Sequence, residues 1–243
     1  MEFSADTKSF AEALDRVREA VEKKATIPIL SHVLVEASPD GLRLAATDLE
    51  MGIRTFCPAQ VKAQGSVVAP PRRFLEIVRS LPEGEVRVCG LENYWVQVSA
   101  GRSVFKLAAL AKDRFPTLPD IPKSLADVPA GVLAGLIDRS AFAISNQESR
   151  YTLNGELLVL KPESVEMVAT DGHRLPLAAR DVSVSGLKSE ERLLVPKRAV
   201  VGQRRLADSQ EAGSRSARRA WKWCPGPAIV NTARNNRILD REV

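Results

Sequence analysis

IPILSHVLVEASPDGLRLAATD, residues 27–48, lies over RYTLNGELLVLKPESVEMVATD, residues 150–171, without a gap and at a constant offset of 123. Leu30 falls on Leu153, Leu34 on Leu157, Pro39 on Pro162 and Leu42 on Val165, and both stretches end in Ala-Thr-Asp. A period of this kind is the mark of a duplicated supersecondary unit. Within each copy the apolar residues alternate on either side of a turn, at Pro39-Asp40-Gly41 and at Pro162-Glu163-Ser164. Each stretch therefore reads as two antiparallel strands.

The flanks repeat as well. FAEALDRVREAV places Phe10, Leu14, Val17 and Val21 on one helical face, and VLAGLIDRSAFAI does the same with Leu133, Leu136, Ile137 and Ile144. VVAPPRRFLEIVRSL reads as a short strand, a proline at a helix start, and then Phe74, Ile77, Val78 and Leu81 at helical spacing. LLVPKRAVVGQRRL opens the same way at Leu193. Each unit is thus helix, strand pair, further strand, helix, which is an α+β fold. The first unit closes with three short strands in EVRVCGLENYWVQVSAGRSVFKLAAL. Phe10, Leu14, Val17, Leu30, Leu34, Phe74, Ile77 and Val78 are its expected core. Four prolines, at 116, 119, 122 and 129, stiffen the connection between the units. The expected boundaries are 1–118 for the first unit, 119–129 for the linker and 130–206 for the second unit.

After Leu206 the alternation fades. Residues 207–243 read as a basic tail that breaks the repeat, as a change of reading frame would; a disordered basic tail is the alternative. No regular sheet is expected there. The charge sits here too. The chain has 35 Lys and Arg against 30 Asp and Glu; ten of the bases and four of the acids lie in 198–243, leaving 25 against 26 in 1–197. The net +5 is therefore a property of the tail. Cys57, Cys89 and Cys224 form no C-x-x-C and are odd in number, which suits a reducing, cytoplasmic setting. The polar start MEFSADTKSF is not a signal peptide, and no apolar run suggests a membrane span.

VATDGHRLPLA, residues 168–178, holds His173, and His32 is the other histidine. A histidine with no nucleophile or metal partner in its pattern does not make an acid–base site. No G-x-S-x-G, H-E-x-x-H or Walker pattern occurs. The second Ala-Thr-Asp, at 46–48, favours a turn whose Asp side chain accepts from backbone donors. No catalytic residue, metal or cofactor is expected.

TIPILSHVLVEA, TDLEMGI, RFPTLPDIP, ESRYTLNGELL and VATDGHRLPLA, in that order, closely resemble the β sliding clamp of bacterial DNA polymerase III over about residues 1–206. The resemblance implies a DNA clamp fold of repeated helix-and-antiparallel-sheet domains, the second copy incomplete and the third absent. It implies a non-catalytic accessory subunit of the DNA-directed DNA polymerase, a processivity factor for DNA replication that encircles double-stranded DNA, of which this chain is expected to be a truncated, impaired form. In the family two subunits close head to tail through the first and third domains, so the missing third copy argues against that ring here. Carried over by position, Lys23, Lys24, Arg72, Arg73, Gln147, Arg150 and Tyr151 contact DNA. Lys24 stands where the family commonly has Arg, and Thr152 where it often has a second Tyr. Leu153, Thr170, Gly172, His173, Arg174 and Leu175 form one wall of a groove for short linear peptides of the polymerase and clamp loader. The other class of function compatible with the chain is a non-specific nucleic-acid-binding protein whose basic tail is the active element.

Overall fold

The computed structural model describes residues 1–18, 20–21, 27–49, 51–118, 126–146, 153–211, 220–223 and 228–231. The chain forms two compact units, the first over Met1–Pro119 and the second beginning at Asp120.

In the first unit β1 (Glu2–Asp6) runs directly into α1 (Thr7–Arg18). Asp6 Oδ2 accepts the backbone N–H of Ser9 at 2.8 Å, which caps the helix start. Then β2 (Val33–Ser38), β3 (Gly41–Thr47), β4 (Met51–Cys57), β5 (Gln60–Ala63) and β6 (Gly65–Ala69) lead to α2 (Pro71–Ser80). Pro71 opens α2 where its missing N–H is not required. The unit closes with β7 (Glu85–Gly90), β8 (Trp95–Ala100) and β9 (Ser103–Ala108), the three strands expected. β5-β1-β7-β8-β9 form one antiparallel sheet, and β4-β3-β2-β6 lie side by side in another.

The helices supply the core between these layers. Phe10 stacks edge-on against Phe74 at 5.3 Å and against Phe3 at 5.6 Å. Phe10, Leu14, Val17, Leu30, Leu34, Phe74 and Val78 are buried as expected. Each such side chain contributes about 1.5–3 kcal/mol of burial. Ile77 is half-buried instead, and Leu75 takes its place inside. Val21 also falls outside the pattern: α1 stops at Arg18, one turn before it.

The second unit repeats this plan with β10 (Ala126–Pro129), α3 (Ala130–Ser140), β11 (Gly155–Lys161), β12 (Ser164–Val168), β13 (Leu177–Asp181), β14 (Glu191–Pro196) and α4 (Lys197–Glu211). Leu133, Leu136, Ile137 and Ile144 are buried, although Ile144 lies beyond the helix. The strand registers repeat residue for residue. Leu34↔Ala45 in β2–β3 is matched by Leu157↔Val168 in β11–β12, and Ser38↔Gly41 by Lys161↔Ser164. Two hydrophobic patterns offset by 123 dictate the same pairing because a one-residue slip would turn each apolar face outward.

Three expectations need correction. Ala126–Pro129 is not linker but a strand, β10, ahead of α3 as β1 is ahead of α1. The second helix does not stop at 206 but runs to Glu211. The tail is not free of sheet: β15 (Ala220–Trp223) pairs antiparallel with β10, the position β7 takes against β1, and β16 (Ala228–Asn231) is also a strand. Backbone pairing needs no alternation of side chains, so the missing pattern hid these strands.

Candidate nucleic-acid and peptide interfaces

The Thr-Asp motif is a turn in both copies. In the second unit Asp171 Oδ1 accepts the backbone N–H groups of His173 and Arg174 at 3.0 and 3.1 Å. Its Oδ2 takes the Arg174 Nε at 2.8 Å. These donors, the His173 amide first and the Arg174 guanidinium next, hold the carboxyl down to about 2. Asp171 is therefore ionised at neutral pH and is not a proton acceptor matched to neutral chemistry. Thr170 Oγ1 donates to Arg174 O at 2.8 Å and accepts the Gly172 N–H at 3.1 Å. In the first unit Thr47 Oγ1 accepts the Leu49 N–H at 3.0 Å in the same way.

This turn presents the surface named by the sequence. Leu153 and Thr170 are half-buried, and Gly172, His173, Arg174 and Leu175 are exposed. Gly172 has φ of +92°, a left-handed position open to glycine. Arg174 lies over the Phe142 ring at 5.3 Å, so its guanidinium is held by the ring on one side and by Asp171 on the other. Phe142, in the short 3-10 turn Ala141–Ala143 after α3, is an exposed aromatic that sequence reasoning passed over, because VLAGLIDRSAFAI was read only for its apolar face at Leu133, Leu136, Ile137 and Ile144. His32, in the first unit, shares its Nδ1 with Pro28 O and Ser31 Oγ, each at 3.0 Å, which is a local turn contact.

Arg72 and Arg73 lie in the first turn of α2, exposed, on the side opposite the buried Phe74, Leu75 and Val78. Neither forms an ion pair with a described residue. Lys23, Lys24, Gln147, Arg150 and Tyr151 lie outside the described residues.

One buried acid was also missed. Glu156, on β11, is fully buried where the repeat has Val33, also fully buried. Burial pushes its carboxyl up to about 7. The Ser140 hydroxyl pulls the other way, but its proton is directed to Leu136 O at 2.9 Å. The signal was present in the aligned copies, as an acid under a valine. Among the described residues no group of three or more His, Cys, Asp or Glu is placed to hold a metal, and no helix is long and apolar enough to cross a membrane.

Residues 1–119 match the family model of the DNA polymerase III beta subunit, N-terminal domain, and residues 127–214 that of its central domain. The chain is 33% identical over 201 residues to the beta sliding clamp of Chlamydia pneumoniae, covering 82% of this chain and 55% of that one. It is 37% identical over 217 residues to the beta sliding clamp of Caulobacter vibrioides, covering 86% and 58%. The solved Caulobacter crescentus pol III beta superimposes with a TM-score of 0.82 at 34% identity, over 93% of this chain and 61% of that one. The DNA polymerase III subunit beta of Pseudomonas aeruginosa gives 0.77 at 32%, over 87% and 58%. The chain thus spans a little over half the length of the relatives it matches.

Proposed function

This chain belongs to the DNA polymerase III beta subunit family, and on that premise we propose that its two units serve a processivity clamp, a binding module that holds the replicative polymerase on duplex DNA without chemistry of its own. The observation that carries this reading is the exposed Arg72–Arg73 pair at the start of α2, free of ion pairs with described residues and backed by a helix whose other face is anchored in the core. Such a pair meets phosphates without reading bases, as a protein that slides requires. Lys23, Lys24, Gln147, Arg150 and Tyr151 complete the DNA contacts in this reading. A protein that clamps DNA topologically stays on closed circles and runs off linear duplex.

The partners of the reading are the polymerase and clamp loader, each through a short linear peptide. Leu153, Thr170, Gly172, His173, Arg174 and Leu175 form the wall that receives it. Support comes from an exposed leucine beside a glycine whose backbone a peptide can approach. The test is retention on nicked circular DNA, before and after linearisation, with a clamp loader and ATP supplied. Retention on circles and loss from linear DNA fits the clamp. Equal retention on both assigns the binding to non-specific charge.

A further inference from the structure

Three valines on three elements of the first unit are fully buried: Val17 of α1, Val33 of β2 and Val78 of α2. The second unit has a polar side chain at each matching place. The buried series Phe10, Ala13, Leu14 and Val17 is answered in α3 by Leu133, Leu136, Ile137 and Ser140. Phe74, Leu75 and Val78 are answered at the same spacing in α4 by Ala199, Val200 and Gln203. Val33, paired with Ala69, is answered by Glu156, paired with Val195. Ser140 and Glu156 are 0% exposed and Gln203 4%. The elements that carry them pack on one another, α3 on α4 and α4 on β11.

This set of side chains is short of donors. The Ser140 hydroxyl donates to Leu136 O at 2.9 Å. Among the described residues Glu156 Oε1 and Oε2 and Gln203 Oε1 are buried acceptors with no hydrogen-bond partner. Buried polar groups are stable only when paired. A proton on Glu156 turns one of its oxygens into a donor, and Gln203 Oε1 is then the acceptor that lacks one.

We propose that Ser140, Glu156 and Gln203 form a proton-operated latch on α4: protonated Glu156 donates to Gln203 Oε1 and seats the helix against α3 and the sheet, and loss of that proton releases it. Burial raises the carboxyl to about 7, and the Ser140 hydroxyl is the one side chain that opposes the shift. The latch is therefore closed in acid and opens as pH rises through about 7. No charge stands by to neutralise the carboxylate. Asp138 of α3 pairs with Arg204 of α4, and Glu166 of β12 with Lys161 of β11. Arg139, Arg198 and Arg205 are exposed, and Lys197 reaches Asn146. On β14, Glu191 and Arg192 lie at the opposite end of the strand from Val195, the partner of Glu156. The latch is a property of the second unit and does not depend on the function proposed above.

The test is amide hydrogen exchange of the full chain, read by mass spectrometry and corrected for the intrinsic rate at each pH. From about pH 5.5 to about pH 8.5 the protection of α4 is expected to fall by about tenfold or more, and that of α3 and β11–β12 by less than about twofold. Glu156→Gln keeps the shape and cannot ionise, so it is expected to abolish the fall. In acid, Gln203→Val is expected to lower α4 protection about tenfold in the parent and far less in a Glu156→Val background, because the acceptor matters only where there is a proton to accept. Circular dichroism confirms that each variant folds. Absence of the fall, or a fall that persists in Glu156→Gln, overturns the proposal. A fall shared equally by α3 and β11–β12 overturns it too, since the unit then opens as a whole. An equal effect of Gln203→Val in both backgrounds assigns Gln203 to packing alone and likewise overturns the latch.

Discussion

Leu49 and Gly172, 123 residues apart, hold the same left-handed position in two copies of one turn, with φ of +76° and +92° and the same N–H bond to a threonine hydroxyl two residues earlier. Glycine adopts that backbone without strain; a leucine costs about 1–2 kcal/mol there. Gly172→Ala is therefore expected to destabilise the second unit by about 1 kcal/mol. Leu49 is exposed, so Leu49→Gly gives up little burial and is expected to stabilise by up to about 1 kcal/mol. Chemical denaturation of both variants checks the opposite signs. Two destabilisations of equal size would show that the turn's φ is not what matters.

Glu156 costs the second unit stability as the pH rises toward neutrality. Its folded-state carboxyl lies near 7, above the ordinary value of an unfolded glutamate. A raised acid pKa means that the folded state holds the proton more tightly, so this contribution is complete at low pH. It is lost progressively as pH rises from about 4.5 to about 7. Glu156→Gln keeps the shape without the charge and is expected to gain on the order of 2 kcal/mol over the parent at pH 8, and little at pH 4. Denaturation midpoints at the two pH values measure this. Parallel pH profiles would place the carboxylate in contact with water.

Replacing Arg72 and Arg73 by Ala tests the phosphate contacts. Both side chains are exposed, so stability should change little. The slope of log affinity against log salt should flatten by about 0.9 for each phosphate that an arginine no longer neutralises, equally on unrelated duplex sequences. An unchanged slope would remove α2 from the interface.

Cys57 is buried, and burial pushes its thiol up to about 12, whereas Cys89 is half-buried. Cys57 should resist thiol reagents in the native protein at pH 8 and react on unfolding. Mass mapping of labelled peptides checks the order. Rapid native labelling of Cys57 would mean that β4 opens readily.

The fold was legible where side chains carry the information. Leu34, Leu42, Phe74 and Val78 alternate or recur because each must face a core, and the offset of 123 survives in every pair of the β11–β12 register. The turn at Asp171 was legible because short polar side chains bond locally. Ile77 and Val21 were misplaced by helical spacing alone. The helix end at Arg18 and the inward turn of Leu75 depend on what packs opposite.

The sequence by itself determined the duplication, the α+β plan, the family resemblance and the positions of the Thr-Asp turns, since periodicity and local hydrogen bonding are properties of neighbouring residues. Tertiary structure decided the rest. It put β15 against β10 and left Glu156 inside where Val33 sits. Strand edges and burial of a charge both depend on residues far apart in the chain, and no local pattern records which of them meet.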